Sequence, residues 1–315
     1  MRILLVFLIV ALLGAALTLW RAARNEAASE AHAPPLGQFI EVDGHKVHAL
    51  VKGSGPDLVL IHGSSGNIRD FTHSMVDQLT DRYRVIVFDR PGLGYSDPVN
   101  PKGASIFEQA AILQKAAAQL GADKPIVLGQ SYGGSVAYAW AVEHPKSLSA
   151  LIALASPAKP WNSDLPRLYQ LNSHPLWGKL LPPIIAAWIP SDRVAREVEA
   201  VFAPQASPEG YADHFGTGLT LRRKSLLANA FQRANLLSEI GHLSPRLSEI
   251  SVPTEILHGD VDTTVSLDIH SRPAAKEIDG AILTVLPGIG HMPHHVAQPE
   301  VISAIDRAAG RAALH

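Results

Sequence analysis

The chain has no cysteine among its 315 residues. This absence excludes disulfides, thiolate zinc sites, iron–sulfur clusters and a cysteine nucleophile. A charge excess is also lacking, because 27 basic and 29 acidic side chains leave a formal net charge of −2. Nucleic-acid-binding domains usually carry a basic stripe, so we expect no nucleic-acid partner. Charged residues make up only 18% and hydrophobic residues 47%, which indicates a folded or membrane-attached protein rather than a disordered one.

The N-terminus contains a long apolar run. Ile3 to Trp20 are 18 residues without a charged side chain. As a helix they would span about 27 Å, close to the roughly 30 Å hydrocarbon core of a bilayer. We predict that residues 1–24 are a retained anchor in a bacterial inner membrane; a signal peptide, cleaved on export, and a buried core helix are the alternatives. Residues 25–36 are small and polar and end in prolines, which predicts a linker.

Beyond the predicted linker, short apolar runs alternate with longer amphipathic stretches. The predicted strands are Phe39–Val42, Lys46–Val51, Leu58–Ile61, Arg84–Phe88, Pro125–Leu128, Leu148–Leu154, Thr254–Leu257 and Ile282–Leu286. The first two flank Asp43-Gly44, a hairpin signal, and the later runs are typical of parallel strands buried on both faces. This order predicts an α/β fold with a doubly wound, mostly parallel eight-stranded sheet, formed by residues 37–156 and 248–315.

The alternation stops between residues 157 and 247. This interval contains no convincing strand, but Asp192–Phe202 and Leu221–Leu237 have helix-like apolar spacing. We predict that it is a helical cap inserted into the α/β core. Because Leu180–Pro190 is strongly apolar, the substrate pocket is predicted to be apolar. The stretch itself either packs the cap onto the core or faces the bilayer and admits a lipophilic substrate. The predicted pocket residues are Trp161, Trp177 and Trp188.

A serine flanked by glycines follows the fifth predicted strand. The stretch Gly129-Gln130-Ser131-Tyr132-Gly133 matches the G-x-S-x-G nucleophile elbow, in which a strand turns sharply into a helix. Residues near such a serine must be small, because the turn brings the backbone close to itself. The apolar strand before the motif and the small-residue helix after it favour this interpretation over a simple glycine-rich bend. Ser131 is therefore the predicted nucleophile.

A serine nucleophile needs a general base and a carboxylate that orients the base. His291 follows the last predicted strand, and Asp262 follows the one before it. The chain order Ser131…Asp262…His291 is the order expected of an α/β-hydrolase. The alternatives to these two partners are His294 and His295 for the base and Asp260 for the carboxylate. The His-x-x-His-His spacing could bind a metal, but no convincing carboxylate partner is visible, so no metal is expected.

These motifs resemble the α/β-hydrolase superfamily, in its branch with a helical cap after the sixth strand. The resemblance covers roughly residues 38–310. It includes His62-Gly63-Ser64-Ser65-Gly66, which is similar to the oxyanion loop, Asp89-Arg90-Pro91-Gly92-Leu93-Gly94-Tyr95-Ser96, and the ending Gly290-His291-Met292-Pro293. It selects His291 over its neighbours. It also implies an oxyanion hole made by the backbone N–H groups of Ser64 and Tyr132.

The resemblance implies an enzyme without a cofactor that acts on a small-molecule ester-like substrate. We expect a serine hydrolase that cleaves carboxylic esters of small to medium apolar substrates through an acyl-enzyme intermediate. Thioesterases, amidases, C–C bond hydrolases and perhydrolases share the triad and remain alternatives. A further alternative is a catalytically silent binding protein tethered to the membrane by residues 3–20. The sequence does not specify an oligomeric state.

Overall fold

A computed structural model describes residues 1–314, without the side chain of Ser191. Eight strands form one sheet in the order β1-β2-β4-β3-β5-β6-β7-β8. They are β1 (Gln38–Val42), β2 (His45–Lys52), β3 (Asp57–Ile61), β4 (Arg84–Phe88), β5 (Ile126–Gln130), β6 (Ala150–Leu154), β7 (Thr254–Gly259) and β8 (Ile282–Leu286). β2 is antiparallel to β1 and β4, and the other neighbouring strands are parallel. The predicted mostly parallel eight-stranded sheet is confirmed. His315, the last residue of the predicted core, lies outside the described residues.

Helices cover both faces of the sheet and form the cap. They are α1 (Arg2–His32), α2 (Arg69–Thr72), α3 (Met75–Leu79), α4 (Ile106–Gln119), α5 (Tyr132–Glu143), α6 (Arg167–Asn172), α7 (Trp177–Trp188), α8 (Ser191–Ala200), α9 (Tyr211–Phe215), α10 (Arg223–Leu243), α11 (Ser271–Glu277), α12 (Pro293–Val296) and α13 (Gln298–Arg311). Two 3₁₀ segments, Thr217–Leu221 and Ser244–Glu249, flank α10. The cap helices α6 to α10 lie between β6 and β7, and the described residues of this interval contain no strand.

Alternating side chains of each central strand enter two separate cores. Val59 and Ile61 of β3 belong to the core under α4 and α5, whereas Leu58 and Leu60 belong to the core under α13. Successive strand residues point to opposite faces, so a strand covered on both sides must be apolar throughout. Every residue of β5 and β6 is buried. The central strands thus hold their carboxyl ends in fixed positions.

The carboxyl ends of the parallel strands meet at one edge of the sheet. The loop after β3 contains His62 to Gly66, the turn after β5 contains Ser131, and the loops after β7 and β8 contain Asp262 and His291. In open α/β sheets, ligands bind at this edge. Ser131 and His291, which are 160 positions apart in the chain, therefore come together here.

Helix α1 corrects the predicted linker. It continues through residue 32, so most of residues 25–36 is helical, and its 31 residues span about 46 Å. The alanines and glutamates of this part are good helix formers, and Glu26 pairs with Arg223 of the cap at 2.7 Å. The apolar window of α1 has no buried residue, which contradicts the buried-helix alternative. By length and composition, α1 fits either a membrane anchor or a signal sequence.

Candidate active site

Ser131 occupies a strained turn between β5 and α5. Its φ of 52° and ψ of −120° lie in a region that residues with a side chain rarely adopt. The glycines around it are required by close approach: a Cβ on Gly129 would collide with the backbone of Gly133, and one on Gly134 with Ser156. The backbone strain and the forced glycines are those of a nucleophile elbow, in which the turn pushes the serine hydroxyl out above the sheet.

Three side chains form a continuous hydrogen-bonded row at the sheet edge. His291 Nε2 lies 3.0 Å from Ser131 Oγ, and His291 Nδ1 lies 2.7 Å from Asp262 Oδ2. With Nδ1–H donating to the carboxylate, Nε2 is left to accept the serine proton. Ser131 and His291 are buried, with 7% and 4% of their surface exposed. The structure therefore brings the three predicted residues together in the arrangement of a serine, its base and an orienting carboxylate.

Asp262 is held as a carboxylate by several donors. Its Oδ1 accepts the backbone N–H groups of Thr264 and Val265 at 2.8 and 3.0 Å, and its Oδ2 lies 3.2 Å from His258 Nε2. Burial by itself would raise the pKa of Asp262, but hydrogen bonds from His258 and His291 hold that pKa well below its usual range. Asp262 thus stays ionised beside the imidazole.

The alternative residues from the sequence lie elsewhere. Asp260 Oδ1 accepts the Gly288 N–H at 2.6 Å, which ties the loop after β7 to the loop after β8. His294 and His295 both direct Nε2 toward Asp70, at 3.2 and 2.8 Å. None of these three side chains contacts Ser131 among the hydrogen bonds of the described residues.

Asp70 is the carboxylate that lies beside His294 and His295. The sequence did not identify this partner for the His-x-x-His-His spacing. The Asp70 oxygens and the two Nε2 atoms lie within 4.8 Å of one another, and Tyr211 of the cap donates its hydroxyl to Asp70 at 2.7 Å. Metal-binding histidines usually donate their second ring N–H to an acceptor. The Nδ1 atoms of His294 and His295 are buried without a partner in the described part of the chain. Two Nε2–H groups donating to Asp70 therefore suit this cluster better than a metal ion.

The loop after β3 lies directly against Ser131. A Cβ built on Gly63 would come within 3.3 Å of Ser131 Cβ. Tyr132 is the first residue of α5, where N–H groups have no acceptor inside the helix. The Ser64 and Tyr132 backbones thus flank the serine from the loop and from the helix. An oxyanion hole formed by these two N–H groups stays a prediction.

Asn229 of the cap is hydrogen-bonded to the same loop. Its Oδ1 accepts the Ser64 hydroxyl at 3.0 Å and the Ser65 N–H at 2.9 Å, while its Nδ2 donates to Ser65 Oγ at 2.8 Å. Ser65 has a φ of 56°, so the backbone of the loop is strained at the residue that Asn229 binds. Asn229 is only 5% exposed and lies on α10. The cap thus fixes the conformation of the loop beside Ser131.

Arg90 donates hydrogen bonds to the backbone of the same loop. Its Nε and Nη2 donate to the carbonyls of His62 and Gly63, each at 2.9 Å, and its Nη1 donates to Gln109 and Gln232. Its backbone N–H donates to His62 Nε2 at 3.0 Å. Burial and the nearby Arg90 lower the pKa of His62 to about 4, so this histidine is a neutral brace.

A cavity of about 600 Å³ lies between the cap and the sheet edge, and Ser131 and His291 line it. Most of its wall is apolar, formed by Leu168, Ile185, Ile189, Val194, Val198, Val201, Phe215, Leu219, Leu226 and Met292. Its size suits a small to medium organic ligand.

None of the three predicted tryptophans lines this cavity. Trp161 stacks edge-on against His270 at 5.6 Å. Trp177 and Trp188 are 44% and 46% exposed on α7. On α7, Ile185 lines the cavity, whereas Trp188 contacts Thr18 and Arg21 of α1. The apolar character of the pocket agrees with the prediction, but aliphatic side chains provide it.

Three residues that contact the site were not predicted from the sequence, and they differ in how strong a local signal they carry. Arg90 lies inside the Asp89–Ser96 motif, and His258 directly follows the predicted strand Thr254–Leu257, four residues before Asp262. Asn229 lies 165 positions from Ser64, on a cap helix with no motif. Only the folded chain shows that it reaches the loop beside the serine.

Comparisons with known proteins agree with this geometry. The model of the α/β hydrolase fold family matches residues 56–298. The chain is 29% identical over 246 residues to the pimeloyl-[acyl-carrier protein] methyl ester esterase of Vibrio atlanticus, covering 74% of this chain and 84% of that protein. It is 28% identical over 270 residues to the 2-hydroxy-6-oxononadienedioate/2-hydroxy-6-oxononatrienedioate hydrolase of Klebsiella pneumoniae, covering 81% and 88%.

A solved bacterial membrane phospholipase A superposes with a TM-score of 0.64 and 21% identity, covering 98% of this chain and 99% of that one. At this identity the likeness shows a shared fold. The family match spans most of the chain and includes the loop after β3, Ser131, Asp262 and His291. The chain therefore belongs to the α/β hydrolase fold family.

Proposed function

We propose that this chain is a serine hydrolase that cleaves carboxylic esters of small to medium apolar substrates. The observation that carries the proposal is the row Ser131–His291–Asp262 in the wall of an apolar cavity. An isolated serine is a weak nucleophile, and it is activated when an adjacent base removes its proton. The 3.0 Å contact between His291 Nε2 and Ser131 Oγ supplies that base.

The proposed reaction has two stages. Ser131 Oγ attacks the ester carbonyl carbon while His291 Nε2 takes the hydroxyl proton, and Asp262 stabilises the imidazolium that forms. The N–H groups of Ser64 and Tyr132 donate to the oxyanion, His291 protonates the leaving alcohol, and an acyl-enzyme remains. Water then attacks the acyl carbon with His291 as base, which releases the acid and restores Ser131.

The contacts of α1 support action at a membrane. Trp188 Nε1 donates to Thr18 within the apolar run at 3.2 Å, and Arg21 stacks on the Trp188 ring at 4.3 Å. Tryptophan and arginine at the end of an apolar helix are typical of the bilayer surface. If α1 is retained as an anchor, it therefore places α7 at that surface. The membrane phospholipase A aligns over nearly the whole chain, which also favours an ester substrate drawn from a membrane.

The exposed residues of α7 would make the contact with the bilayer. Leu180 and Ile184 are each 48% exposed, and they share a face with Trp177 and Trp188. Ile185 and Ile189, at and beyond the end of the same helix, line the cavity. A lipophilic ester could thus pass from the membrane along α7 to the apolar cavity.

Hydrolysis is tested with ester, thioester and amide panels and a fluorophosphonate probe. We expect wild-type protein to turn over esters and to be labelled at one serine, and Ser131→Ala to lose both properties. Ser135→Ala is the matched control, because Ser135 lies one turn further along α5 and donates to the Pro157 carbonyl instead. A folded wild type that is neither labelled nor active would indicate the silent binding protein.

The membrane route has a separate test. We expect Leu180→Gln with Ile184→Gln to slow hydrolysis of a long-chain ester in vesicles while leaving a soluble short-chain ester unaffected. Ile269→Gln, which changes an apolar residue 43% exposed outside the cap, is the control. Equal effects on both substrates would contradict membrane delivery through α7.

Cleavage of a C–C bond is the second candidate. The relative named as a 2-hydroxy-6-oxononadienedioate/2-hydroxy-6-oxononatrienedioate hydrolase covers more of this chain than the esterase relative does. Assay of a vinylogous 1,5-diketone acid against the ester panel separates the two. A kcat/KM for the diketone above that for every ester would replace the ester assignment.

A further inference from the structure

One face of α10 forms a polar wall in the otherwise apolar cavity. Ser225, Asn229 and Arg233 are spaced four residues apart and all line the cavity. Residues at this spacing follow one another along a helix face, about 6 Å apart. Asn229 binds the loop beside Ser131. Arg233 therefore lies about one helical turn from that loop.

Arg233 has a charge without a protein counter-ion in the described part of the chain. No hydrogen bond or ion pair of its guanidinium occurs there, and its Nε is buried without a partner. The guanidinium is 5.4 Å from the ring centre of Tyr169, which orients it but does not neutralise it. A guanidinium is always charged, presents five donors and is costly to desolvate alone.

The acidic side chains that share the cavity do not balance this charge. Asp70 already accepts hydrogen bonds from His294, His295 and Tyr211. Glu197 is exposed on α8 and forms no ion pair with Arg233. The donors of Arg233 are therefore left for a ligand in the cavity.

Two neutral polar groups extend the wall. Asn172 and Ser225 also line the cavity, and Asn172 Oδ1 and Ser225 Oγ are buried without partners in the described residues. Their side chains belong to residues only 1% and 2% exposed. Buried polar groups in native proteins are normally hydrogen-bonded, so these two side chains keep unused hydrogen-bonding capacity beside the cavity. The apolar wall and this polar wall together suit an amphiphilic molecule.

We propose that Arg233 binds an anionic group, a carboxylate or a phosphate, carried by the ester substrate. This subsite rests on the proposed ester hydrolysis and narrows it to acyl esters that combine an apolar chain with one negative charge. The planar guanidinium matches both anions through paired N–H donors. The anionic group is bound about one helical turn from the loop beside Ser131. The apolar chain of the substrate lies along the aliphatic side of the cavity.

Two matched substrate pairs test the subsite and distinguish the anions. A p-nitrophenyl ester with a terminal carboxylate is compared with its methyl-ended analogue, and a 1-acylglycerol 3-phosphate with the corresponding 1-acylglycerol. We expect wild type to favour the anionic member of at least one pair. Arg233→Gln should lower kcat/KM for that member by roughly 10-fold or more, mainly through KM, because a hydrogen bond to a charge is lost.

The neutral substrates provide the internal control. Arg233→Gln should change their kcat/KM less than about 2-fold, and Arg233→Lys should recover part of the preference because it keeps the charge. Arg193→Gln should leave the preference intact, since Arg193 lines the same cavity but is exposed on α8. Equal losses on all four substrates, or no anionic preference in wild type, would overturn the proposal.

A binding measurement separates this proposal from the proposed chemistry. Ser131→Ala protein is titrated with dodecanoate, dodecyl phosphate and dodecanol, none of which needs to react. We expect tighter binding of an anion than of the alcohol and loss of that difference on adding Arg233→Gln. If the anion preference holds while wild type fails to hydrolyse esters, the subsite stands and the reaction is wrong; if wild type hydrolyses esters but binds all three alike, the subsite is wrong.

Discussion

Removing the Asn229 amide should disable the active site without preventing folding. Asn229→Ala deletes two hydrogen bonds accepted by Oδ1 and one donated by Nδ2, all to Ser64 and Ser65. Each such bond contributes a net stability of about 1 kcal/mol, and water in the cavity can replace part of it. We therefore expect the free energy of unfolding to fall by about 1–3 kcal/mol.

The expected effect on catalysis is larger than this stability loss would suggest. Loss of a complete oxyanion donor lowers kcat by roughly 10²–10³-fold. The Ser64 N–H remains in Asn229→Ala, but the strained loop that carries it is no longer fixed from the cap. A misplaced donor should lower kcat by roughly 10–100-fold, with a smaller change in KM, because the oxyanion exists only in the transition state.

The assay combines steady-state ester hydrolysis, chemical denaturation and titration with a boronic acid that forms a tetrahedral adduct on serine. Affinity for the boronic acid should fall in parallel with kcat, which a purely structural loss would not produce. Asn235→Ala is the control, because Asn235 is on the same helix and donates to the Lys102 carbonyl at 3.3 Å, outside the cavity. Asn229→Ala that loses stability but keeps wild-type kcat would refute the reasoning.

Three further predictions concern the carboxylates. Asp262→Asn should lower kcat by roughly 10⁴-fold through loss of the correct imidazole tautomer, and a kinetic loss below 10-fold would contradict this role. Burial raises the pKa of Glu239 to about 7, so between about pH 4.5 and 7 the folded state binds the additional proton and stability falls as pH rises. Denaturation at pH 5 and pH 8 should therefore show that the free energy of unfolding of Glu239→Gln rises relative to wild type by at most about 3 kcal/mol between the two pH values. If the stability of both proteins changes equally with pH, Glu239 does not have the raised pKa. A double-mutant cycle of Glu26→Gln and Arg223→Met should give a coupling of about 1 kcal/mol by thermal unfolding, and a coupling near zero would show that the pair does not hold α1 to the cap.

The sequence predicted those parts of the fold that follow from local patterns. Continuous apolar runs located the later, parallel strands, because strands covered on both faces have no polar side. The Asp43-Gly44 hairpin signal located β1 and β2. The elbow at Ser131 was recognisable because its steric demand selects glycines at fixed neighbouring positions. The linker at residues 25–36 was predicted wrongly over most of its length, because its helix is supported by contacts with the cap that local composition does not show.

Local sequence patterns predicted the helices of the cap but not the orientation of their side chains. The helical character of the cap was predicted, but the pocket residues Trp161, Trp177 and Trp188 were chosen by residue type, and the structure turns these side chains away from the cavity. Which face of a cap helix meets the substrate depends on how the helix packs on the core, and apolar residues occur on both faces of α7. Asn229, Arg233 and Asp70 carry no local signal, since their roles depend on what stands opposite them.

Short-range sequence patterns were enough to predict the resemblance to the family, the order of the strands along the chain and the candidates Ser131, Asp262 and His291. Which carboxylate faces the base depends on the folded chain: Asp262 Oδ2 lies 2.7 Å from His291 Nδ1, whereas Asp260 accepts the Gly288 N–H in the loop after β8. The tertiary structure also brought the cap, through Asn229 and Arg233, to the serine and its cavity. These pairings join residues far apart in the chain, and their energies arise only when burial removes competing water.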